Sequence, residues 1–133
     1  MMKNKEFRMK IRVYYEDTDT GGVVYHSNYL NFCERARSDA FFKIGKTPVL
    51  ENGHFVARKL EANYYSSAKL GDELEVVSKL LEMRNASFVL QQDVYKEAKV
   101  IFELKITLAY INFDGKPQKL GELKEFIELL FKR

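Results

Sequence analysis

One run of three- and four-residue apolar spacing decides what this chain can fold into. Tyr29, Phe32, Cys33, Ala36, Ala40, Phe41 and Ile44 recur at helical intervals, while Asn31, Glu34, Arg35 and Ser38 fall between them. That pattern predicts a helix of about four turns burying one broad, largely aromatic stripe. His26, Ser27 or Asn28 can cap its start, and Gly45 followed by Pro48 can stop it. Such a stripe needs a sheet or another helix to lie against.

The rest of the chain supplies a sheet. Phe7 to Tyr14 alternates apolar and basic residues, the period of a strand with one wet face. Phe55 to Tyr65, Glu73 to Met83, Phe88 to Tyr95 and Lys99 to Asn112 read as four more strands, divided by turn signals at Ala68–Asp72, Arg84-Asn85 and Lys96–Ala98. The last strand is the clearest, with Val100, Phe102, Leu104, Ile106, Leu108 and Tyr110 on one face. Asp114-Gly115 turns the chain into a short closing helix carrying Leu123, Phe126, Ile127 and Leu130. The order β-α-β-β-β-β predicts an α+β fold in which a curved antiparallel sheet wraps one long helix. Short turns favour consecutive pairing of the second to fifth strands. The sheet's edges call for a homodimer or a higher homo-oligomer.

At 133 residues and 46% hydrophobic, residues 1–133 form one domain with a substantial core. The single cysteine, Cys33, rules out a disulfide framework and points to a reducing, cytoplasmic setting. The opening MMKNKEFRMK lacks the apolar run of a signal peptide, and no segment is long enough to be a transmembrane span. A net charge of +3 suits an anionic ligand, yet the charges are interspersed and no basic block supports nucleic-acid binding. Two histidines and one cysteine, far apart in sequence, make no metal-ligand set.

The chemistry concentrates ahead of the helix. Tyr15 to Arg37, YEDTDTGGVVYHSNYLNFCERAR, brings Asp17, Asp19, Gly21, Gly22 and His26 into one loop that runs into the helix. Glycines let a ligand approach the backbone, and the helix start offers unpaired N–H groups to a developing oxyanion. Carboxylate, close backbone and helix N-terminus together suggest acyl transfer. Each residue also has a plainer reading. Asp19 suits a turn before the glycines, His26 a helix cap, and Asp17 a backbone-bonded loop position. Glu34, Arg35, Arg37 and Asp39 are spaced for ion pairs on the helix surface. Tyr64 and Tyr65 suit a core or a pocket wall. His54, at a strand entrance, is assigned no catalytic part.

The run Y-Y-E-D-T-D-T-G-G-V-V-Y-H-S-N-Y from Tyr14, with E-R-A-R ending at Arg37 and A-K-L-G-D-E-L ending at Leu74, resembles the hotdog-fold thioesterases of the 4-hydroxybenzoyl-CoA thioesterase type, in particular their YbgC-like acyl-CoA branch. The resemblance spans nearly the whole chain. It implies hydrolysis of an acyl-CoA thioester, with CoA as part of the substrate and no separate cofactor. Asp19 is then the catalytic carboxylate, as nucleophile or as general base for water, and the His26 N–H is the oxyanion site. The His26 imidazole would orient the carbonyl or protonate the leaving sulfur, and Tyr15 would hydrogen-bond the carboxylate. The acyl group would lie between two subunits of a homodimer or homotetramer. Arg58, Lys59, Lys69, Arg84 and Ser87 are the candidates for holding CoA. Association with lipid-synthesis or envelope proteins is a further expectation by analogy. A dehydratase or hydratase on acyl thioesters, and a non-catalytic acyl-CoA sensor or scaffold, are the competing readings.

Overall fold

A computed structural model describes residues 6–131; the basic opening residues 1–5 and the last two, 132–133, lie outside it. Five strands form one antiparallel sheet: β1 (Phe7–Arg12), β2 (His54–Tyr64), β3 (Glu73–Met83), β4 (Ser87–Lys96) and β5 (Lys99–Ile111). The long helix α1 (Asn28–Phe42) lies between β1 and β2 in the chain, and α2 (Leu123–Phe131) closes it. This is the antiparallel sheet with one long helix that the periodicities predict, and it fits the hotdog fold that the resemblance implies.

Helix α1 buries Tyr29, Phe32, Cys33, Ala36, Ala40 and Phe41, the stripe read from the sequence. It packs on a sheet face carrying Ile11, Leu74, Val76, Leu90, Phe102, Leu104, Ile106 and Leu108. Gly45, at φ +74°, ends it: the N–H groups of Gly45 and Lys46 return to the Phe42 and Phe41 carbonyls. Short α2 adds Ile127, Leu130 and Phe131 to the same core. Cys33 is a fully buried core residue, and burial pushes its thiol up to about 12.

Strand order departs from the simplest expectation. The order is β1-β3-β4-β5-β2, so β2 pairs with β5 rather than with its sequence neighbour β3. Hairpins join only β3 to β4 and β4 to β5. Residues 65–72 instead carry the chain across the end of the sheet. They are held there by pairing with the loop before α1: Val23 bridges Lys69, and the Val24 N–H donates to the Ala68 carbonyl at 2.9 Å. Thus the crossover that separates β2 from β3 also builds a floor under that loop. A bulge at Ala57/Lys59 leaves Arg58 unpaired and changes which residues of β2 face the helix.

Candidate active site at the start of the long helix

The loop from residue 13 to residue 27 is fixed by its own backbone. Asp17 is buried at 5% exposure; its Oδ2 accepts the Tyr14 N–H at 2.9 Å, and its carbonyl accepts the Tyr25 N–H at 3.0 Å and Asn28 Nδ2 at 2.9 Å. It is the backbone-bonded residue of the pair of aspartates. Beyond it, Thr18 bridges Val24 and the Asp19 N–H donates to the Val23 carbonyl, so residues 18–24 form a small hairpin with Asp19 at its tip.

Asp19 plays the turn role that its sequence context allows. Its Oδ1 accepts the Gly21 N–H at 2.8 Å, and its carbonyl accepts the Gly22 N–H at 3.1 Å. Gly22 sits at φ +81°, a conformation that side chains strongly disfavour. A Cβ on Gly21 would stand 3.2 Å from Asp19 Oδ1. One carboxylate oxygen therefore orients the group, while Oδ2 has no partner among the described residues and faces an exposed position.

Seven residues on, the His26 N–H meets no acceptor among the described residues. The residue before the helix, Ser27, makes no side-chain cap, while the Asn28 and Leu30 N–H groups of the first turn donate to the Tyr25 and Ser27 carbonyls. The peptide beyond His26 is anchored from the sheet: the Tyr64 hydroxyl donates to the His26 carbonyl at 2.9 Å. The His26 ring is exposed and lies against Tyr25, with centroids 4.3 Å apart. The imidazole is thus beside the helix start but does not cap it.

The remaining candidates scatter. Tyr15 is 81% exposed, and its phenol makes no bond to Asp19. A three-residue 3-10 turn, Tyr15–Asp17, directs it outward. Lys69 lies beside the loop through its bridge to Val23. Arg58 and Lys59 lie midway along β2, where Lys59 pairs with Glu61. Arg84 is at the opposite end of the sheet, paired with Glu82. Ser87 lies at the same end, buried at 4% exposure.

Two further readings change. Tyr64 and Tyr65 are exposed rather than core, and Tyr65 points its hydroxyl at Glu103. No ion pair joins Glu34, Arg35, Arg37 and Asp39 among the described residues; Arg37 turns inward to Gln92, at 2.9 Å. No sequence signal marked Tyr64 as an anchor, because the bulge in β2 sets the face it occupies. Among the described residues, no helix is long and apolar enough to cross a membrane.

Comparison with known proteins identifies the family and the fold. The model of the thioesterase superfamily matches residues 21–101. The acyl-CoA thioesterase YbgC of Helicobacter pylori is 51% identical over 65% of this chain and 65% of its own, so the chain spans about two thirds of that relative. The acyl-CoA thioesterase YbgC of Haemophilus influenzae is 34% identical over 93% of both chains. Among solved structures, a probable thioesterase from Bartonella henselae superposes with a TM-score of 0.82 at 30% identity, covering 86% of this chain and 98% of that one. With the matched model covering more than half of its length, the chain belongs to the thioesterase superfamily.

Proposed function

We propose that this protein is an acyl-CoA thioesterase, hydrolysing an acyl-CoA to the free acid and CoA. The observation that carries this reading is a carboxylate oxygen and a backbone donor on one loop that have no partner among the described residues, Asp19 Oδ2 and the His26 N–H. Relatives that print this activity in their names support the substrate class. A thioester carbonyl set with its oxygen toward the His26 N–H gains charge stabilisation as that oxygen becomes negative. The Tyr64 bond to the His26 carbonyl holds the following peptide, between His26 and Ser27, and so steadies the backbone on one side of that N–H.

Asp19 then acts by one of two routes. As nucleophile, Oδ2 bonds to the carbonyl carbon, the C–S bond breaks, CoA leaves as a thiolate, and water hydrolyses the resulting anhydride. As general base, the carboxylate takes a proton from water, whose oxygen attacks the same carbon. Both routes use only side chains, backbone and water. Lys69, beside the loop, is the cation we assign to the CoA phosphates; Lys59 is committed to Glu61 and Arg84 to Glu82.

The test is thiol release from a panel of acyl-CoAs by wild type, Asp19→Asn and His26→Ala. Activity on at least one substrate that falls at least 100-fold in Asp19→Asn, with the fold retained, is the expected result. Single-turnover hydrolysis in ¹⁸O-water tests the nucleophilic route, because label in Asp19 itself requires water to attack the Asp19 carbonyl of the anhydride, a step the general-base route lacks. Acyl-CoA binding without thiol release from any substrate would overturn the reading in favour of a sensor.

A further inference from the structure

A second feature lies away from that loop, between the later turns of α1 and strands β2, β4 and β5. It is a cavity of about 250 Å³ walled by Phe41, Phe55, Phe88, Leu108 and Phe131, with Arg37 set among them. A dry cavity of about 150 Å³ is enough to bind benzene, so this one admits a substituted ring or a short alkyl chain. Its lining is apolar apart from a few polar groups.

Arg37 is the unusual member. It is drawn inward by Gln92, which is fully buried. Gln92 donates through Nε2 to the Cys33 carbonyl and to Ser78 Oγ, both at 2.9 Å, leaving Oε1 to accept Arg37 Nη1 at 2.9 Å. That bond uses one of five guanidinium N–H donors. No carboxylate lies within ion-pair distance of Arg37 among the described residues. Burial lowers its pKa from the ordinary value, the mark of a charge poorly served by its surroundings. Of the other ionisable groups on the cavity, Glu34, one helical turn before Arg37, attracts it without reaching ion-pair distance, is exposed and takes a bond from Ser38, while His54 stacks on Phe113. A held cation with spare donors on an aromatic cavity complements an anion with an apolar body.

We propose that this cavity binds an apolar carboxylate of ring or short-chain size, with Arg37 as its anchor. The carboxylate accepts from the Arg37 fork while its hydrocarbon part fills the space between the phenylalanines. Such a group could come from the free acid in solution or from the far end of a carboxyl-terminated acyl thioester. The second source rests on the thioesterase reading; binding of the free acid does not.

Calorimetric titration with benzoate and with its neutral counterpart benzamide tests the site directly. Benzoate is expected to bind at least tenfold more tightly than benzamide, and Arg37→Met to remove that preference. Because Arg37→Met also unpairs Gln92, Ala57→Leu serves as the second variant: it adds bulk to the cavity wall from an exposed position and leaves both Arg37 and Gln92 in place. Equal affinity for the two probes, no benzoate binding to wild type, or benzoate binding unchanged in both variants would overturn the proposal. Hydrolysis then sorts the sources. A loss of kcat/KM in Arg37→Met confined to carboxyl-terminated acyl-CoAs points to the acyl end, whereas inhibition by free benzoate alone points to the acid. Absence of thiol release from every substrate would count against the thioesterase reading and leave the binding result standing.

Discussion

Gly53 shows how tightly one residue can be bound to a fold. A Cβ built there would lie 2.2 Å from the Ile111 carbonyl oxygen and 3.0 Å from the Tyr110 ring, contacts that backbone cannot relieve without moving β5. Its own carbonyl accepts the Leu50 N–H at 2.8 Å, fixing the entrance to β2. Gly53→Ala is expected to cost about 1–3 kcal/mol, in the range of overpacked cores, read as a lowered urea midpoint with an unchanged m-value. At this scale the sequence was legible where the signal is local. Asp17, Asp19 and the two glycines lie within six residues, and their turn chemistry follows from residue type alone. Arg37 was not legible, because its partner Gln92 is 55 residues away and helical spacing offered nearer carboxylates.

Among elements, the strands were readable from period-two alternation, and their ends shift by only a residue or two. Pairing was harder. Alternation says which face a residue occupies but not which strand lies beside it, and a bulge such as that at Ala57/Lys59 resets the face without changing composition. The β2–β3 crossover was read only as a turn, although it supplies the floor of the candidate active site. Asp72 ends that crossover, accepting the Lys69 N–H at 2.8 Å and pairing with Lys96 at 2.9 Å. The Lys96 side-chain bond, followed by the Lys69 backbone bond, holds the Asp72 carboxyl below its usual range. A carboxylate with a depressed folded-state pKa stabilises the fold above its unfolded pKa, near 3.9, and loses that contribution as pH falls through the folded value. Wild type should therefore exceed Asp72→Asn in stability at pH 7, and the gap should close below about pH 4. Thermal melts of both proteins across that range check it; a gap independent of pH would assign the effect to the turn's neutral hydrogen bonds.

At the scale of the whole molecule the two edges of the sheet are unequal. Edge strand β1 is six residues long, and Arg8 and Arg12 on it pair with Glu75 and Glu73 of β3, which blunts it against another chain. Edge strand β2 is eleven residues long, has β5 as its one strand neighbour among the described residues, and exposes Leu60 and Tyr64. An antiparallel strand can meet its own copy about a twofold axis, which satisfies both free edges with one contact. We therefore expect a homodimer in which two β2 strands join the sheets into one. Leu60 is open to solvent in the protomer, so Leu60→Asp should leave the monomer folded. In a β2–β2 interface the same change buries two like charges near the axis, which is strongly unfavourable. Sedimentation should give twice the 15.6 kDa chain mass for wild type and the single-chain mass for Leu60→Asp. A wild-type monomer, or a dimer indifferent to the substitution, would move the contact elsewhere. If thiol release falls in step with dissociation, the acyl group is held between protomers; if the monomer keeps full activity, Asp19 and the helix start suffice within one chain.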